Sequence, residues 1–142
     1  MPRFLVVDDD FASVTGLTFL LRSDGHDVTS CFAEADAVKE SGHEAFDVVL
    51  TALNMSQTDG RAVVRAARKQ QPNACLIVVA ARADGIRHEL QKAGACFIAE
   101  KPVDYDAVVE TIAECRAHGC CRVSSKKGQA DLTQRQVLYK DR

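Results

Sequence analysis

Three adjacent carboxylates, Asp8, Asp9 and Asp10, close the first apolar run of the chain, and Lys101 closes a later one. Adjacent acids at the end of such a run are either a solvated strand end or the oxygen donors of a hard-cation site, because Mg²⁺ binds through a few carboxylates and keeps several waters. An ammonium brought against them would neutralise them and compete with any cation. A second cluster, Cys115, His118, Cys120 and Cys121, sets soft ligands close together in sequence. Structural zinc usually draws on two separated ligand pairs, so this contiguous group suits tetrahedral geometry poorly. The histidines His26, His43, His88 and His118 lack metalloenzyme spacing and are expected at the surface. No Gly-rich phosphate loop, nucleophile elbow or flavin-type loop is present, and three acids in a row would repel phosphate unless a cation intervened. An enzyme is not expected.

Strand and helix signals alternate along the chain, which predicts a parallel sheet covered by helices on both faces. Strands are expected at 4–7, 27–31, 46–51, 75–80 and 96–100, the first a continuous apolar run of the kind buried on both sides. Phe11, Val14, Thr18 and Leu21 recur at helical spacing and predict a helix over 11–23. Further helices are expected over 34–41 and 61–70, from an Asp84 N-cap to Ala93, and from an Asp104 cap through Val108, Ile112 and Cys115. Five strands and five helices in this order predict a flavodoxin-like, doubly wound α/β fold. Asp8, Asp9, Ala52, Ala80 and Lys101 then fall at or just beyond the carboxyl ends of the strands, where such folds carry their sites.

Three segments, FLVVDDD (4–10), FDVVLTALNM (46–55) with Thr58-Asp59-Gly60, and IAEKPV (98–103), together resemble the receiver domain of bacterial two-component response regulators, over roughly residues 3–118. In that family an aspartate attacks phosphohistidine and becomes an acyl phosphate, while Mg²⁺ neutralises the transferring group. The resemblance implies that Asp8 and Asp9 are the metal-binding acids, that Asn54 lends a backbone carbonyl and that Lys101 pairs with the phosphorylated aspartate. Ala52 stands where the acceptor belongs. A methyl group has no lone pair to offer phosphorus, so transfer to position 52 is excluded; Asp9 is the nearest stand-in, since strand alternation turns Thr51 away if position 52 faces the site.

Other switch groups are missing too. The hydroxyl that ends the family's fourth strand falls on Ala80, or on Val79 by the spacing to Gly94, and the aromatic switch position is Ile98. Ser56 replaces the usual proline. These joint losses favour a naturally degenerate pseudo-receiver that acts through protein contacts without phosphorylation. The alternatives are an ordinary phospho-receiver with an engineered Asp-to-Ala knockout at 52, and a thiol or metal sensor using the Cys115–Cys121 cluster. No cofactor is required on this reading, and Mg²⁺ binding at Asp8, Asp9 and Asn54 is expected to be weak or vacant. Implied partners are a sensor histidine kinase or other signalling protein, a second copy in a homodimer, and a DNA-binding output domain beyond Arg142. The family's usual contact surface carries over to His88, Gln91, Lys92, Tyr105 and Val109.

At 142 residues and 46% hydrophobic the chain suits one domain with a sizeable core. The longest apolar stretch, Ala74 to Ala81, falls far short of the roughly 20 residues that span a bilayer. No signal peptide is evident, so a cytoplasmic location, no membrane contact and reduced cysteines are expected. Of the net charge of −2, residues 119–142 carry +4 and residues 1–118 carry −6. The expected organisation is a receiver domain over 1–118 and a basic linker or tail over 119–142. Within the tail, residues 132–138 weakly resemble the first helix of a helix-turn-helix output domain, either truncated or by accident.

Overall fold

The structure, a computed structural model, describes residues 2–53, 60–82, 84–101 and 103–118. The elements alternate as β1 (Arg3–Val7), α1 (Phe11–Ser23), β2 (Asp27–Cys31), α2 (Glu34–Ser41), β3 (Val48–Ala52), α3 (Arg61–Gln70), β4 (Cys75–Ala80), α4 (Arg87–Ala93), β5 (Phe97–Glu100) and α5 (Tyr105–His118). The strands form one parallel sheet in the order β2-β1-β3-β4-β5. This is the expected flavodoxin-like α/β fold.

Handedness distributes the helices. The step from β1 to β2 runs one way across the sheet and every later step runs the other, so right-handed crossovers put α1 on one face and α2, α3 and α4 on the other. The latter three pack side by side, α2 on α3 and α3 on α4. Helix α5 returns beside α1, where the Tyr105 hydroxyl lies 2.6 Å from an Asp24 carboxylate oxygen and 3.2 Å from the Leu20 carbonyl. The interior strands β3 and β4 are buried along their whole length, in keeping with sequences that are apolar except at Thr51.

Boundaries differ from expectation where local bonding intervenes. Strand β3 begins at Val48 instead of Phe46, because the Phe46 N–H donates to the Gln71 side chain at 2.9 Å. Gln71 is buried and its amide also donates to the Ser41 and Glu44 carbonyls, so it anchors the entry to β3. At its other end β3 runs one residue further, to Ala52. Helix α4 begins at Arg87, not after Asp84, because Gly85 has a φ of +81°, outside the helical region. Strand β1 gains Arg3 and β5 starts at Phe97, one residue late.

Gly60 sets the approach of α3 to the end of β3. Its N–H donates to the Leu53 carbonyl at 2.6 Å, and a Cβ there would lie 2.2 Å from the Ala52 carbonyl oxygen. Gly60→Ala must therefore displace backbone at position 52. Urea denaturation should show a loss of about 1–3 kcal/mol, and wild-type stability would show that α3 can retreat without cost.

Candidate functional site

The carboxyl ends of β1, β3, β4 and β5 bring the sequence-predicted residues to one edge of the sheet. Asp8 follows β1; its N–H donates to the Cys31 carbonyl at 3.1 Å, and the residue is 8% exposed. One carboxylate oxygen accepts the Asp10 N–H at 3.0 Å, and the other lies 3.4 Å from Lys101 Nζ. Lys101 is aimed by its backbone, whose N–H donates to the Ala80 carbonyl at 2.9 Å directly after β5. Ala52 is buried at the end of β3, in register with Val79. Ala80 is instead level with Glu100. Ala52, Val79, Asp8 and Lys101 border a largely apolar cavity of about 550 Å³ that reaches Val14 and Leu17 on α1. Thr51 borders it as well, but its hydroxyl donates to the Ala52 carbonyl at 3.1 Å.

Asp10 belongs to the helix more than to the cavity. Its carboxylate caps α1, accepting from the Ala12 N–H and the Ser13 hydroxyl at 3.2 and 2.8 Å. The Ser13 hydroxyl holds the Asp10 carboxyl below the usual carboxylate range. For a hard dication, an ammonium already sits against Asp8, and position 52 offers a methyl group in place of an oxygen donor. Asn54 lies outside the described residues.

On the expected contact surface, His88 and Lys92 are exposed, and Gln91 and Val109 are half-buried. Tyr105 departs from that grouping, since its hydroxyl is turned to α1. Ile98 is fully buried. An ion pair between Arg61 and Glu89, at 2.9 Å, joins α3 to α4.

Two expectations are corrected. His26 is half-buried, with its ring centroid 5.0 Å from that of Phe4, because the turn after α1 folds it onto β1. The cysteines are not all reduced: Cys96 and Cys115 are disulfide-bonded. Cys115 is buried in the core beside Cys75 and Cys96. Cys120 and Cys121 lie outside the described residues. At Cys31, burial first and then Glu40 and Asp36 push the thiol up to about 11. Sequence reasoning also missed an exposed aromatic patch: Phe11 and Phe32 stack at 5.6 Å, and Phe19 is 69% exposed. Phe11 shares the helical spacing of the buried Val14, Thr18 and Leu21, yet it is exposed and stacks on Phe32, just before α2.

A family model for the response regulator receiver domain matches residues 4–113. Among curated proteins, the chain is similar to the transcriptional regulatory protein ZraR of Salmonella typhimurium strain LT2, 33% identical over 115 residues, or 80% of this chain and 26% of that protein. GlrR of Escherichia coli K12 is 29% identical over 113 residues, 78% of this chain and 25% of the relative. The chain thus spans about a quarter of the length of these relatives. Among solved structures, a receiver domain protein of Methanospirillum hungatei JF-1 matches with a TM-score of 0.78 at 24% identity, covering 84% of this chain and 96% of that one. A response regulator of Burkholderia pseudomallei, with a phosphorylated aspartic acid, a calcium ion and citrate, matches with a TM-score of 0.75 at 23% identity, covering 82% and 72%.

The contact between α5 and α1 has a measurable signature. Burial, followed by the Asp24 carboxylate, pushes the Tyr105 phenol up to about 12. A phenol raised in the folded state stabilises the fold fully below its unfolded value of about 10. That contribution is lost as pH rises through about 12. Alkaline ultraviolet titration of wild type against Tyr105→Phe should remove the late-titrating phenol, and a Tyr105 titration near 10 would mean the contact to Asp24 is absent.

Proposed function

Because the chain belongs to the response regulator receiver domain family, we propose that it is a signalling module of a two-component pathway that works without phosphorylation, through protein contacts. Ala52 carries the reading: the position at the end of β3 has a methyl group where phosphoryl transfer requires a nucleophile. Three further features support it. Lys101 is already paired with Asp8. Val79 and Ala80, the two candidates for the switch hydroxyl, have none. Ile98 stands at the aromatic position and is buried. Phosphorylation ordinarily shifts a pre-existing equilibrium between two states; without it, the domain rests in one of them or answers another input. The module is non-enzymatic on this reading. Its partners are a sensor kinase or other signalling protein, met through the surface carrying His88, Lys92 and Val109. The relatives are named transcriptional regulatory proteins, which fits a DNA-binding output domain beyond Arg142.

Incubation with Mg²⁺ and a small phosphodonor should leave the intact mass unchanged, and one added phosphoryl group would overturn the proposal. Calorimetric titration with Mg²⁺ should show weak binding; a dissociation constant in the micromolar range would contradict the loss of the third carboxylate.

Restoration separates a degenerate switch from an engineered knockout. Ala52→Asp should regain phosphate uptake, because Asp8, Asp9 and Lys101 remain. It should not regain a full conformational response, since no hydroxyl or aromatic follows the phosphoryl group. Adding Val79→Thr, in register with position 52, should recover part of that response, with Ala80→Thr as the comparison. The readout is the phosphodonor-dependent change in amide NMR shifts. Large shifts through α4 and β5 in Ala52→Asp alone would mean that the rest of the switch is intact, against a degenerate receiver.

A further inference from the structure

The opposite end of the sheet holds three sulfurs. Cys75 opens β4, Cys96 directly precedes β5, and Cys115 lies near the end of α5, which runs back to the same level. They are 2%, 1% and 2% exposed, and their sulfurs lie within 4.8 Å of one another. Cys75 is a thiol, while Cys96 and Cys115 are disulfide-bonded; their proximity makes each the other's partner.

A fixed cation lies beside them. Arg68 Nη2 is 3.3 Å from Cys96 Sγ, and the Leu76 N–H is 3.5 Å from the same sulfur. The guanidinium is anchored by the Gly94 carbonyl, which accepts from Nε and Nη2 at 3.1 and 2.9 Å, and by the Pro72 carbonyl at 2.9 Å from Nη1. A guanidinium held against a sulfur favours thiolate over thiol, and thiolate is the reactive form. Buried cysteines without such a neighbour are usually inert.

We propose that Cys96 and Cys115 form a reversible dithiol–disulfide switch, responsive to peroxide, that fastens the end of α5 to the start of β5. In the reduced state the Cys96 thiolate attacks one peroxide oxygen. The O–O bond breaks, the leaving oxygen takes a proton and departs as water, and Cys96 becomes a sulfenic acid. The Cys115 thiol gives up its proton and attacks that sulfur; the S–O bond breaks, and a second water leaves. Two electrons pass from the thiols to the peroxide, and a dithiol reductant returns them. Access requires transient local opening around the buried sulfurs, and the end of α5 is the nearest helix terminus. Because Cys115 lies in the last turn of α5, the bridge holds the end of that helix against the sheet. This input does not depend on the chemistry at position 52.

The test uses the full chain, reduced and then exposed to graded hydrogen peroxide, followed by alkylation in denaturant and intact-mass counting of its six cysteines. Six labels are expected after reduction and four after peroxide, with the missing pair mapped to Cys96 and Cys115. Native treatment with a dithiol should restore six. Cys75→Ser should keep the two-label loss, whereas Cys96→Ser and Cys115→Ser should each abolish bridge formation between these positions. Arg68→Met should slow oxidation about tenfold, and Arg68→Lys should recover part of the rate; if Arg68→Met fails to fold, the cysteine variants decide. Retention of six labels in excess peroxide, a missing pair at Cys120 and Cys121, a bridge that yields to dithiol only after unfolding, or an unchanged rate in folded Arg68→Met would each overturn the proposal.

Discussion

Lys101 and Asp8 stand 93 residues apart in the chain and meet at 3.4 Å because parallel strands end along one line. The register is continuous: Val7 is level with Thr51, Ala52 with Val79, and Ala80 with Glu100. Slipping any strand by one residue would exchange its two faces. The unbroken burial of β3 and β4 makes such a slip costly, since apolar side chains on both faces must find new holes. The site is therefore a consequence of core packing, and its geometry persists with the methyl group of Ala52 at one of its positions.

That persistence has an electrostatic consequence. Asp8 is nearly buried, and a buried carboxylate needs hydrogen bonds and a countercharge. It receives both, from the Asp10 N–H and from Lys101. The lysine side chain is 38% exposed, so the pair is screened and adds little to overall stability. Its effect is local, because the ammonium itself compensates the Asp8 carboxylate. A carboxylate at position 52 would compete with Asp8 for the same ammonium; a methyl group does not.

The parts of the fold legible in the sequence were those set by short-range pattern. The helix over 11–23 and the strand over 75–80 follow from apolar periodicity and from punctuation by Gly25 and Pro72, and both have the expected bounds. The strand-end residues were legible because a motif marks them. What was not legible depends on contacts between distant segments. Gln71 trims the start of β3 from 25 residues away in sequence. The cysteines sort by tertiary position, so Cys115 joins Cys75 and Cys96 from distant parts of the chain. Tyr105 looked like a surface residue of α5 until the path of α1 put Asp24 within 2.6 Å of its hydroxyl. In each case local sequence lacked the partner that decides the outcome.

Helix α5 links the two ends of the sheet. Its first residue, Tyr105, is tied to α1 and borders the cavity that contains Asp8 and Lys101; its later residue Cys115 lies in the sulfur cluster. Fourteen residues make a rod roughly 20 Å long, stiff enough that fixing one end limits the motion of the other. Here the end of β3 carries the methyl group of Ala52, and the disulfide-bonded Cys115 lies toward the far end of α5. Val109 lies between the two anchors, so on the switch proposed above the sulfur end would bear on the half-buried surface it carries.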